Sequence, residues 1–180
     1  MVLCAEVPEK YTYWVEPCTR AESGCVVGDR QLAGWALRAW QKASAGTLEF
    51  IPVKDRDLAR IRVFWATAEQ GKYGEARPIV VDGKRGAEVY VRPAPFRFYE
   101  DRVSRDAVVY LTCLHETGHA LGLPHTAVFS DIMYSFQYGG NIPEYFERYR
   151  RQLRTRSDIG SHAGLSEADR RAVREMSARP

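Results

Sequence analysis

The feature that most constrains this chain is the run His115-Glu116-Thr117-Gly118-His119-Ala120-Leu121-Gly122-Leu123-Pro124-His125. Residues four apart share one helical face, so a helix through His115 and His119 brings both imidazoles to one point, spaced to hold a single metal ion. Glu116 can then reach a water at that metal without being a ligand itself. A helix that simply continued would carry His125 farther along its axis and round to another face. If Gly122 instead ends the helix with positive φ, the chain reverses and His125 swings back as a third ligand. The full spacing arises by accident in roughly one in a hundred thousand chains of this length. Three neutral imidazoles plus water give tetrahedral zinc with an open position, the layout of a catalytic centre.

The flanking sequence predicts an α+β framework around that motif. Tyr11–Val15, Leu48–Pro52, Ile61–Ala66, Ile79–Asp82 and Glu88–Val91 read as strands, with Asp82-Gly83 turning between the last two. Asp29 is placed to cap a helix whose Leu32, Trp35, Ala36, Ala39 and Trp40 form one apolar stripe. A second helix is expected from Ser104 or Arg105 to Leu121, with Ser104 as its cap. The stretch Phe129–His162 reads as irregular. Ser166-Glu167-Ala168-Asp169 resembles a capping box opening a short helix that turns Ala172, Val173 and Met176 inward. Strands with one early helix among them suggest a mixed sheet with helices packed on one side.

Composition excludes several classes. With 45% hydrophobic residues in 180, the chain can bury a core of its own, and one domain is expected over residues 1–180. No apolar run approaches the roughly 18 residues of a membrane span. A net charge of +3 is too mild to imply a nucleic-acid or membrane partner. Arg148, Arg150, Arg151, Arg154 and Arg156, interleaved with Tyr145, Phe146 and Tyr149, read first as a solvated helix face. The alternatives are a patch for nucleic acid or an anionic surface, or a gate over the cleft. His162 reads as a surface residue, and Cys113 as a small core residue. Cys18 and Cys25 bracket a short polar segment, Thr19–Gly24, and are either bridged or reduced, depending on the compartment. Met1-Val2-Leu3 is too short for a secretory core, which leaves a cytosolic protein or a trimmed leader.

His115 to His125 resembles the extended zinc motif of the metzincin metallopeptidases, and Met133, in Ser130-Asp131-Ile132-Met133-Tyr134, falls where that clan has its Met-turn. Thr126 after the third histidine, Ala59-Arg60-Ile61-Arg62-Val63 and Leu165–Val173 are similar to the matrixins in particular. The resemblance implies a metzincin-like (zincin) fold: a twisted, mixed five-stranded sheet with two long helices, an upper part over about 1–122, an irregular lower part over about 123–180, and a C-terminal helix. It also implies a zinc-dependent endopeptidase acting on a peptide or protein substrate. His115, His119 and His125 would hold one zinc, whose water is activated with Glu116 as general base. The alternative is a zinc-containing module that binds peptides without turnover. An edge strand near Arg77–Asp82 could hold an extended peptide by strand addition. Tyr134, Phe136 and Tyr138 either line the S1′ pocket or pack the lower part.

The departures from the matrixin pattern are specific. No histidine precedes His115, so the family's second, structural zinc cannot be built in its usual form. The usual Tyr-Pro-x-Tyr after the methionine is replaced by Tyr134-Ser135-Phe136-Gln137-Tyr138, and Gly139–His162 is longer than family custom. A cysteine-switch motif is not found in residues 1–180, and Cys4 is not in one. Asp55 and Asp57, or Asp82, lack the ligand spacing of a calcium loop. A monomer, secreted or periplasmic by family resemblance, is expected.

Overall fold

The structure is a computed structural model, which describes residues 7–67, 73–93, 99 and 101–177. Five strands, β1 (Glu9–Val15), β2 (Leu48–Pro52), β3 (Ile61–Trp65), β4 (Gly74–Val81) and β5 (Lys84–Val91), form one sheet in the order β2-β1-β3-β5-β4. The first four in that order run parallel, and β4 is antiparallel to β5 at the edge. Between β1 and β2 the chain crosses over through α1 (Asp29–Ala43), as a parallel pair requires. α2 (Arg102–Leu121), α3 (Ile142–Arg150) and α4 (Glu167–Ser177) follow the sheet. The α+β class and the mixed five-stranded sheet therefore stand as the sequence predicts.

Alternation decides which strand side chains turn inward. Ile61, Val63 and Trp65 of β3 and Ala87, Val89 and Val91 of β5 are buried against the helices, where Leu32, Leu37 and Trp40 of α1 meet Val109 and Leu114 of α2. Full burial of each large aliphatic side chain contributes about 1.5–3 kcal/mol. The Trp40 indole N–H donates to the Leu114 carbonyl at 2.9 Å, fixing α1 against α2 one residue before His115. Cys113 is buried and unbridged.

Several boundaries differ from the sequence reading. Asp29 is the first residue of α1 and not its cap. Gly28 takes that position at φ 109°, because the Asp29 carboxylate is claimed by the Val26 N–H and by Arg105, reaching in from α2. α2 begins at Arg102 with Asp101 as its cap, the carboxylate accepting the Ser104 N–H at 2.8 Å. Ser104 lies inside the helix, where its hydroxyl accepts from Arg150. Pairing along β5 extends β4 back to Gly74, well before Ile79, and the Asp82-Gly83 turn has positive φ at both residues.

The segment expected to be irregular contains α3. Asn141 caps it through the Glu144 N–H at 2.9 Å, Pro143 sits in its first turn, and Tyr145 and Tyr149, four apart, turn inward. The capping box before α4 forms as predicted: the Ser166 hydroxyl accepts the Asp169 N–H, and the Asp169 carboxylate accepts the Ser166 N–H. Val173 is fully buried, with Ala172 and Met176 packed beside it. Cys18 and Cys25 are disulfide-bonded.

Candidate active site

The last turns of α2 present His115, Glu116 and His119. Gly122, at φ 103°, then ends the helix: its N–H donates to the His119 carbonyl at 2.9 Å, and the Leu123 N–H donates to the Gly118 carbonyl at 3.0 Å. These two bonds are a Schellman cap, the reversal expected at this glycine. The reversal returns His125 to the helix face. The three Nε2 atoms lie 3.1 Å (His115–His119), 3.0 Å (His119–His125) and 3.3 Å (His115–His125) apart.

The chemistry of this donor set fits a divalent cation. The His115 Nδ1 lies 2.6 Å from the Ile132 carbonyl oxygen, and the His119 Nδ1 lies 2.9 Å from that of Leu123. A carbonyl can only accept, so both protons sit on Nδ1 and both Nε2 lone pairs face inward. Burial pushes the His115 imidazole down to about 4, and burial likewise lowers His119, so both are neutral near pH 7. These two lone pairs converge with the Nε2 of His125, and a cation placed between the three rings can accept from all of them. Tetrahedral zinc with bonds of about 2.0–2.1 Å separates its nitrogens by roughly 3.3 Å, close to the spacing found. Among the described residues this is the group of histidine, cysteine or carboxylate side chains able to hold a metal ion.

Beneath the helix, Met133 is buried and lies against Gly118. A Cβ at position 118 would fall 2.4 Å from the Met133 Sδ and 3.0 Å from Trp40, so glycine is required there. The strand-like pairing of Thr126 with residues 133–135 holds this layer. The Thr126 N–H donates to the Met133 carbonyl at 2.8 Å, and the Ser135 N–H to the Thr126 carbonyl at 3.1 Å. α4 secures it from the far side, the Asp169 carboxylate accepting the Ile132 N–H at 2.8 Å.

A cavity of about 420 Å³ opens beside His115, Glu116 and His125. Glu116 is buried, with its side chain over the α-carbon of Gly74 at the start of the edge strand; a Cβ at Gly74 would lie 2.7 Å from its Oε1. Leu111 and Thr112, one turn before the histidine and the glutamate, form one wall of the cavity. Tyr134 and Phe136 form another, whereas Tyr138 is more than half exposed and is not part of the lining. Tyr145 and Phe146 of α3, read from the sequence only as part of the arginine-rich run for which a gate over the cleft is one alternative, close the cavity with their rings. The available signal was local: Asn141-Ile142-Pro143-Glu144 opens a helix, and a Tyr145/Tyr149 pair makes one face of it apolar.

The arginine run does not form a free basic patch. Arg150 pairs with Asp101 at 2.9 Å, Arg151 with Glu144 at 2.5 Å and Arg156 with Asp106 at 2.9 Å. Arg148 stacks over Tyr145 at 4.5 Å. His162 is exposed, its Nδ1 on the Asp158 carbonyl at 3.0 Å. Among the described residues no helix is long and apolar enough to cross a membrane.

A zinc-competent group beside a buried carboxylate and a side-chain-sized cavity is what a metallopeptidase requires. Comparison with known families narrows the class: the matrixin sequence profile matches residues 8–144, 137 of the 180, and the chain belongs to the matrixin family of zinc metallopeptidases. No curated protein matches the sequence.

Proposed function

We propose that the chain is a single catalytic unit, a zinc-dependent endopeptidase in which His115, His119 and His125 hold one zinc and Glu116 is the general base. The convergence of the three Nε2 atoms within 3.3 Å of one another, beside the cavity that Glu116 lines, carries this reading. Bound zinc would supply Lewis-acid polarisation of the scissile carbonyl and a lowered water pKa. Glu116 takes the proton from the attacking water and delivers it to the leaving amine. β4 offers an outer edge to which an extended peptide can add as a strand, and Gly74 places the start of that edge against Glu116. The cavity then takes the side chain following the scissile bond, with Tyr134 and Phe136 as walls, while Met133 is the Met-turn residue supporting the imidazoles from below. The Cys18–Cys25 bridge favours an oxidising compartment, secreted or periplasmic.

The test is cleavage of a mixed peptide library by the purified protein, by Glu116→Ala and by a chelated sample. Glu116→Ala should retain zinc and lose activity by about 10²–10⁴-fold. Cleavage at the wild-type rate would refute the role of Glu116. Zinc and peptide binding without turnover would favour a binding module.

A further inference from the structure

We propose that Tyr145 is a positioning residue for the metal site as well as a wall of the cavity, so that α3 joins the two; this rests on reading His115 as a zinc ligand. The junction is the Ile132 carbonyl. It accepts the His115 Nδ1–H at 2.6 Å and also the Tyr145 hydroxyl at 3.1 Å, and the same hydroxyl lies 3.1 Å from the Asp131 carbonyl. With the Ile132 N–H on Asp169, both backbone polar groups of residue 132 are held. The His115 ring needs a fixed acceptor to keep its proton on Nδ1 and its Nε2 aimed at the metal. Tyr145 is 4% exposed, and burial raises its phenol above the ordinary value, so the hydroxyl remains a donor across the working pH range.

The ring of the same residue faces the cavity, edge-on to Phe136 at 5.1 Å and to Phe146 at 5.3 Å, and stacked on Tyr134 at 6.0 Å. A phenol is rigid, so a side chain pressing on the ring displaces the hydroxyl and with it the support of the Ile132 carbonyl. Tyr145 lies one residue beyond the stretch matched by the family profile.

Three variants separate the roles. Tyr145→Phe removes the hydroxyl and keeps the ring, and Tyr145→Leu removes both. Tyr149→Phe is the control, since that hydroxyl donates at 2.7 Å to the His162 carbonyl from the same helix. Zinc dissociation constants are measured by competition with a chromophoric chelator, and side-chain preference with the peptide library. Tyr145→Phe should weaken zinc binding by about 10–100-fold and leave the preference unchanged. Tyr145→Leu should weaken zinc similarly and shift the preference towards bulkier side chains, whereas Tyr149→Phe should do neither. Zinc affinity of Tyr145→Phe within threefold of wild type would overturn the proposal, as would an equal loss in Tyr149→Phe. A wild-type protein that binds no zinc would instead remove the reading beneath it.

Discussion

Arg105 is fully buried, and its removal offers a severe test of how the two long helices are held. Its guanidinium bonds both carboxylate oxygens of Asp29 on α1, touches Asp106 at 3.3 Å and reaches the Gly24 carbonyl at 3.4 Å. Burial alone would lower its pKa, but the two carboxylates outweigh that and raise it. In Arg105→Met, Asp106 keeps Arg156 at 2.9 Å and Arg102 at 3.8 Å, while Asp29, 1% exposed, keeps the Val26 N–H. The cost is therefore that of one buried, uncompensated carboxylate, about 3–5 kcal/mol. In a domain of this length that lowers the melting temperature by roughly 6–20 °C. Urea unfolding followed by tryptophan fluorescence, at constant zinc, measures it. Adding Asp29→Asn to Arg105→Met should recover at least about 1 kcal/mol, because the stranded charge is gone. A loss below about 1 kcal/mol, or strict additivity in the double variant, would refute the reasoning.

Replacing Cys18 and Cys25 together with serine should cost about 2.5 kcal/mol for the short loop they close, read as a shift in the urea midpoint. Gly118→Ala should cost about 1–3 kcal/mol through overlap with Met133 and Trp40, and should lower zinc affinity in the chelator assay. In the metal-free protein the His115 pKa is depressed from 6.5 to about 4, so the unfolded state binds more protons between those values. Its contribution, about 3 kcal/mol at most, is present above pH 6.5 and is lost as the pH falls towards 4. Unfolding series on wild type and His115→Asn should show that this extra pH slope disappears in the variant; equal slopes would refute it.

The zinc motif was legible because its logic is local. Two histidines four apart, a carboxylate beside the first, and a glycine that must take φ above zero are consequences of helix geometry. All of them act within eleven residues. The Ser166–Asp169 capping box and the Asp82-Gly83 turn were readable for the same reason. Both helix starts were misplaced: the Asp29 carboxylate is taken by Arg105 and the Val26 N–H, and Asp101, three residues before Ser104, takes the cap of α2 by accepting the Ser104 N–H. α3 carried a start signal and an apolar pair, but Arg148 and Arg150 within it, and the arginines that follow it, obscured both.

By itself, then, the sequence determined which three histidines and which carboxylate meet, and the class of fold that carries them. Only the tertiary structure decided what the site rests on: the carbonyl of Ile132 under His115, the hydroxyl of Tyr145 on that carbonyl, Met133 against Gly118, and the edge of β4 beside Glu116. Helical periodicity repeats every few residues and can be counted along the chain. Which backbone carbonyl meets which side chain across the fold is set by how sheet, helices and returning loops bury one another, and no spacing in the sequence encodes that.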